Sequence, residues 1–153
     1  MTLRQHIDKQ LENFLSLLLA LMVLNVLWQI ASRYIIDDPS IFTDELARYL
    51  LIWVGLIGAA YATGKQGHVA IDILKQKLNE RQQTIQTRVV RTLILLFSIA
   101  VLIIGGIRMV ILSFELGQTS SAMHLPIGYV YLALPITGIL VCYYTICDIF
   151  NID

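Results

Sequence analysis

The chain has 153 residues, of which 57% are hydrophobic and 14% are charged, and its formal net charge is zero. Soluble domains carry about 45–50% apolar and about 25% charged residues, so both departures indicate a protein that folds in a lipid bilayer. The zero net charge excludes a bulk electrostatic field that would attract nucleic acid. The length suits one membrane domain with room for about four spans of ~20 residues each.

Apolar stretches along the chain predict an all-α integral membrane protein with four transmembrane helices. The first stretch follows Arg4 and Lys9, an arrangement that also occurs in signal peptides. Its apolar run is longer than that of a signal peptide and ends without a small-residue cleavage site, so we interpret it as a retained span. The residues before Phe14 are expected to form a separate, weak surface helix. The predicted spans lie at approximately residues 14–36, 43–63, 89–113 and 126–147.

The start of the second span is set by length, because its purely apolar part is shorter than the ~20 residues that cross a bilayer. We therefore expect the helix to begin near Thr43, with Thr43 as its N-cap. This places Asp44, Glu45 and Arg48 in one headgroup layer, with both acids in the first turn, where the helix dipole favours them. Arg48 lies four and three residues beyond the two acids, so local ion pairs are expected.

The fourth span contains two prolines with different expected roles. Pro126 fits the first helical turn, whereas Pro135 should kink the helix because it cannot donate a hydrogen bond to the carbonyl of Tyr131. Cys142 and Cys147 are five residues apart in this span, do not share a helix face and lack metal-ligand spacing, so we interpret them as packing residues.

A polar stretch at approximately residues 68–85, between the second and third spans, predicts an amphipathic helix on the cytoplasmic membrane surface. Its apolar residues Ile71, Leu74, Leu78 and Ile85 share one helical face. Basic residues concentrate in this stretch and in the N-terminal tail, whereas the 36–45 and 114–125 loops contain no Lys or Arg. The positive-inside rule therefore places both termini and the middle segment in the cytoplasm.

Ionisable residues within spans are candidates for function, and here they lie near helix ends rather than at mid-membrane. The missing mid-membrane carboxylate argues against an autonomous pump or exporter. No pattern predicts a catalytic residue, a cofactor site or a metal site. Small residues of the second span lie on one face, which fits packing inside the bundle or docking of a second membrane protein. The candidate subunit-interface or anchoring residues are Arg33, Asp44, Glu45, Arg48, Gly55, Gly58, Ala59 and Arg108.

Two groups of residues carry a resemblance to a known family. The first is Thr43-Asp44-Glu45-Leu46-Ala47-Arg48-Tyr49, with Trp53, Gly58-Ala59-Ala60 and Gly67-His68-Val69-Ala70-Ile71-Asp72. The second is Gly117-Gln118-Thr119-Ser120-Ser121-Ala122, with Leu125-Pro126 and Leu134-Pro135-Ile136. Together with the chain length and the four spans, these motifs resemble the small, Q-type (DctQ-like) membrane subunit of tripartite ATP-independent periplasmic (TRAP) transporters.

This resemblance implies a bacterial inner-membrane protein that is not an enzyme and that acts with partners. In the family, a periplasmic substrate-binding protein captures an organic acid such as a sialic acid or a C4-dicarboxylate. A large multi-span subunit carries the acid inward with sodium ions, and the small subunit scaffolds it. Sodium and substrate ligands would belong to the large subunit, and membrane lipids would surround the small one.

Three alternatives remain open from the residues alone. A stand-alone four-span exporter would need a membrane-embedded acid, which the predicted spans lack. A membrane-bound electron carrier or enzyme would be recognised by the absorbance of a bound cofactor. An assembly protein of unrelated lineage is the third alternative.

Overall fold

The computed structural model describes residues 3–35, 40–65 and 80–150, and these form an all-α bundle. The first two helices are α1 (Leu3–Tyr34) and α2 (Ile41–Gly64). A third helical stretch comprises α3 (Glu80–Phe97), a π-helical segment (Ser98–Gly105) and α4 (Gly106–Glu115). A loop then leads to α5 (Gly128–Tyr131) and α6 (Ala133–Phe150).

Four helical stretches have the length and apolar composition of membrane spans, which confirms the predicted fold class. They are Arg4–Tyr34, Ile41–Gly64, Ile85–Glu115 and Gly128–Ile149. The predicted surface helix at about 68–85 falls mainly on residues 66–79, outside the described part of the chain. From Glu80 onward, its residues belong to α3.

Helix α1 is continuous, and the expectation of a separate surface helix before Phe14 is wrong. At 1.5 Å per residue, its 32 residues extend about 48 Å. That exceeds the roughly 30 Å hydrocarbon thickness of a bilayer. The charged first turns stay helical because Arg4 and Asp8 find partners on other helices.

Helix α2 begins at Ile41, so Thr43 is not its N-cap. The N-cap is Ser40, whose hydroxyl accepts a hydrogen bond from the Thr43 N–H at 3.4 Å. Thr43 is buried and donates its own hydroxyl to the Ser40 carbonyl at 2.9 Å. The two side chains together satisfy polar groups of the first turn.

The fourth span is interrupted near its start. The prediction that Pro126 lies in the first helical turn is wrong, because Pro126 forms an isolated β-bridge with Thr119 and α5 begins only at Gly128. The helix breaks at Leu132, one residue after Tyr131, whose carbonyl cannot receive a hydrogen bond from Pro135. This break agrees with the predicted kink and separates α5 from α6.

Helix α6 is the centre of the bundle. In the most apolar 18-residue stretch of its span, half of the residues are buried. The corresponding share is 6% in the first span and 11% in the second and third. It packs against α2, α3 and the π-helical segment, while α1 packs against α2. A Cβ added at Gly138 would lie 2.7 Å from Ile103 Cγ1, and Ser98 donates to the Gly138 carbonyl at 2.9 Å. Glycine therefore allows close backbone approach here.

Candidate functional site

Polar side chains gather in two networks at opposite ends of the bundle. One network surrounds the start of α2 and the loop before α5. We call it the loop-end network, with residues Asn25, Gln29, Thr43, Asp44, Glu45, Arg48 and Ser120–Met123. The other joins the start of α1 to the end of α6. We call it the terminal-end network, with residues Arg4, Asp8, Gly64, Lys65, Arg91, Tyr144 and Asp148.

Glu45 binds the loop that precedes α5. Its carboxylate accepts a hydrogen bond from the Ser120 hydroxyl at 2.5 Å. It also accepts from the backbone N–H groups of Ser121, Ala122 and Met123, at 3.0, 2.9 and 3.2 Å. A single carboxylate thus satisfies three backbone donors and fixes the loop to α2.

Asp44 and Arg48 form the ion pair expected from their spacing, at 2.7 Å. Gln29 of α1 donates to the other Asp44 oxygen at 2.9 Å, and Asn25 donates to the Thr43 carbonyl at 2.8 Å. The expected pairing of Glu45 with Arg48 is wrong, because the Glu45 carboxylate is engaged by the loop.

At the terminal end, Arg4 connects three parts of the bundle. Its guanidinium donates to the Gly64 carbonyl at 2.8 Å and to the Asp148 carboxylate at 3.0 Å. The Arg4 and Asp148 side chains are only 18% and 10% exposed. Arg91 of α3 donates to the Asp148 backbone carbonyl at 2.6 Å. The contacts of Arg4 and Asp148 therefore join α1, α2, α3 and α6.

Asp8 receives two donors from other helices. The Tyr144 hydroxyl donates to one Asp8 oxygen at 2.6 Å, and the Lys65 ammonium lies 3.3 Å from the other. The hydrogen bond to Asp8 and the negative charge of Asp8 raise the pKa of Lys65 above its usual range. Packing is tight here too, since a Cβ at Gly64 would lie 2.5 Å from the Tyr144 ring.

The small residues of α2 that were predicted to form a contact face, Gly55, Gly58 and Ala59, point outward. Gly55 and Ala59 are exposed, and a Cβ added at Gly55 or Gly58 meets no atom within 4 Å. Packing inside the bundle, one of the two interpretations of this face, is therefore wrong. The buried face of α2 instead carries Ile57, Ala60 and Gly64.

The remaining candidate residues lie on the surface near helix ends. Arg33 is exposed in the last turn of α1, and Arg108 is exposed in α4. The structure therefore brings Asp44, Glu45 and Arg48 into the loop-end network and leaves Arg33 and Arg108 apart from it.

Sequence reasoning missed the terminal-end network. Arg4 was interpreted only as part of a basic N-terminal tail, Asp8 was not singled out, and Asp148 lies 144 positions from its partner Arg4. One signal was available, because Asp8 and Asp148 lie on apolar membrane-spanning helices, where a carboxylate needs a cationic partner. Within residues 3–35, 40–65 and 80–150, no cluster of His, Cys, Asp and Glu has the arrangement of a metal site.

Comparisons with known proteins agree with this architecture. The family model for the DctQ component of tripartite ATP-independent periplasmic transporters matches residues 22–153. The sialic acid TRAP transporter small permease protein SiaQ of Vibrio cholerae is 30% identical over 141 residues, covering 88% of this chain and 76% of SiaQ.

Two Haemophilus influenzae proteins are also similar. One, provisionally described as a TRAP transporter small permease protein, is 31% identical over 140 residues, covering 92% of this chain and 85% of its own length. The other is the sialic acid TRAP transporter permease protein SiaT. It is 42% identical over 53 residues, covering 35% of this chain and 9% of SiaT.

The family is a membrane component of transporters, which confirms the prediction that the chain is not an enzyme. The family match covers most of the residues, including the last part of the first apolar span and the whole of the other three. This chain is accordingly a multi-pass membrane protein that belongs to the DctQ family of tripartite ATP-independent periplasmic transporters.

Proposed function

We propose that this chain is the small permease subunit of a sodium-coupled transporter that imports an organic acid across the bacterial inner membrane. Its role is to scaffold a large permease subunit, and a periplasmic substrate-binding protein delivers the acid. Relatives named as sialic acid permeases, SiaQ and SiaT, favour a sialic acid over a C4-dicarboxylate.

The scaffold role is supported mainly by one contrast: polar contacts join the helices at both ends of the bundle, whereas the apolar residues between the ends are largely exposed. Both ends are cross-linked by hydrogen bonds between helices, from Gln29 to Asp44 at the loop end and from Arg4 to Asp148 at the terminal end. Between the ends, only 6% of the most apolar window of α1 is buried. Such a bundle holds its shape while it offers apolar sides to lipid and to a second membrane protein. The carboxylates of the two networks are already bound within the chain, which argues against ion transport by this chain.

The outward face of α2 is our proposed docking surface for the large subunit. It carries the exposed Arg48 and then Gly55, Gly58 and Ala59. Free space above both glycines would allow a partner helix to approach the α2 backbone closely. Arg33 and Arg108 are exposed and would anchor their helix ends or contact the same partner.

Co-purification with the large subunit tests both the role and the surface. Ala59→Leu should lower recovery of the partner roughly fivefold, about 1 kcal/mol of binding free energy. Ala100→Leu is the matched control, since Ala100 is also exposed in a span but lies in the π-helical segment. Equal recovery with both variants would reject the α2 surface. Failure of the unmodified chain to retain a large subunit would reject the scaffold role.

Transport measurements test the coupling. Liposomes with this chain alone should take up no labelled sialic acid. Liposomes with the large subunit and the binding protein should take it up only with an inward sodium gradient. Uptake by this chain alone would contradict the proposal.

The positive-inside rule supports cytoplasmic termini, with the loop-end network facing the periplasm. A cysteine at position 121, which is exposed, should therefore react with an impermeant maleimide in intact cells with a permeabilised outer membrane, and a cysteine at position 77 should not. The reverse pattern would overturn this orientation.

A further inference from the structure

An apolar groove opens between α1, α2 and the segment around α5. Its volume is about 360 Å³. Leu46, Leu50 and Trp53 of α2 line it, Leu18 of α1 lies on one side, and Tyr129 lies on the other. No charged residue is among its described lining residues. Most of its lining residues belong to membrane spans, near the end of α2 that carries the loop-end network, and Met123 and Leu125 of the loop before α5 line it as well.

The groove continues the internal packing face of α2. Leu46, Leu50, Trp53, Ile57, Ala60 and Gly64 follow one another at spacings of four, three, four, three and four, which places them on one helix face. In the terminal half of α2 this face is buried, at Ile57, Ala60 and Gly64. In the other half it is only half-buried, at Leu46, Leu50 and Trp53.

The charges around the groove are already satisfied within the chain. Arg48 pairs with Asp44, and Glu45 is held by the loop. The occupant must therefore be uncharged along its buried length. Water is a poor occupant because the lining offers it almost no polar partners.

We propose that one acyl chain of a phospholipid occupies this groove and completes the packing of α2 against α5. An engineered apolar cavity of roughly 150 Å³ holds benzene, so about 360 Å³ suits a chain of roughly a dozen carbons. Phospholipid acyl chains of the bilayer surround the membrane-spanning residues that line the groove. This inference rests on the geometry of the groove and stands whether or not the proposed transport function does.

Lipid retention tests the proposal. The full-length chain, purified alone and with its large subunit, is washed in lipid-free detergent, and its phospholipid is counted by mass spectrometry. The unmodified chain should retain one tightly held phospholipid. Leu18→Trp, which fills the groove, should retain roughly fivefold less. Leu17→Trp, on the neighbouring 58% exposed position of α1, should retain as much as the unmodified chain.

A second measurement uses the two native tryptophans as probes, and its Trp28→Phe variant leaves the groove unmodified. Trp28 is 57% exposed on α1, whereas Trp53 lines the groove. After transfer from vesicles of brominated phosphatidylcholine into lipid-free detergent, the Trp28→Phe variant should keep its bromine quenching and the Trp53→Phe variant should lose it. Equal loss in both variants would overturn the proposal. Equal lipid retention by Leu18→Trp and Leu17→Trp would also overturn it. Loss of the retained phospholipid when the large subunit is present would show that the partner, not lipid, fills the groove.

Discussion

The two ends of the bundle are held by different chemistry. At the loop end, one carboxylate, Glu45, accepts hydrogen bonds from a hydroxyl and three backbone N–H groups of a single loop. At the terminal end, Arg4 and Asp8 bind a backbone carbonyl, two charged side chains and a hydroxyl group from two other parts of the chain, the end of α2 and helix α6. The first arrangement fixes a loop, whereas the second ties helices to one another.

This difference determines what each end can tolerate. The loop-end donors belong mostly to the backbone, so they remain in place whatever side chains the loop carries. The terminal-end partners are side chains that are distant in sequence and largely buried, so removal of one strands a charge. We therefore expect the terminal end to govern global stability and the loop end to govern local order.

The largest effect is expected at the Arg4–Asp148 pair. Arg4→Ala leaves a carboxylate that is 10% exposed without its cation, which should cost about 3 kcal/mol of unfolding free energy. Thermal unfolding in detergent should then shift down by roughly 6–12 °C.

The control for this change is the ion pair of the other end. Arg48→Ala removes a pair whose side chains are 73% and 47% exposed, so it should cost at most about 0.5 kcal/mol. A double-mutant cycle of Arg4→Ala with Asp148→Ala measures the coupling. Zero coupling would show that the two networks do not differ as described.

A smaller effect is expected from two glycines that each contact an aromatic ring. A Cβ at Gly64 would lie 2.5 Å from Tyr144, and one at Gly128 would lie 2.6 Å from Phe114. Tyr144 is fully buried and tethered to Asp8, whereas Phe114 is 44% exposed and free to move outward. Gly64→Ala should therefore cost about 1–3 kcal/mol and Gly128→Ala clearly less.

Gly55→Ala is the control for both glycine substitutions, because nothing lies within 4 Å of the added Cβ. It should be neutral or stabilise the helix by up to ~1 kcal/mol. Unfolding temperatures of the three variants in the same detergent give the comparison. A larger drop in unfolding temperature for Gly128→Ala than for Gly64→Ala would contradict the conclusion that packing is tighter around Tyr144 than around Phe114.

The smallest change in global stability is expected for Glu45→Gln, which keeps one acceptor oxygen but loses the charge. Hydrogen exchange of the Ser121, Ala122 and Met123 amides should accelerate, and Glu45→Ala should accelerate it further, because these N–H groups lose their acceptor. The matched control is Asp44→Asn, which should leave the same amides unchanged. Unchanged exchange in Glu45→Ala would show that the carboxylate does not hold the loop.

The sequence by itself determined the four spans, the helical class and the polar character of both ends. A stretch of about 20 apolar residues in a bilayer must satisfy its backbone internally, which leaves a helix as the solution. Spacing along one helix also predicted the Asp44–Arg48 pair, since residues four apart are neighbours. The motifs around these residues carried the family resemblance.

Only the tertiary structure decided which residues meet across the bundle. Helix periodicity places Gly55 and Gly58 on a common face of α2, but it does not state whether that face contacts a neighbour. Gly64 and Gly138 are instead among the glycines that pack closely, because they face Tyr144 and Ile103. The sequence equally left Glu45 a choice between Arg48 and a loop some 75 residues away. Contacts between distant segments depend on how helices cross, and local spacing carries no information about that crossing.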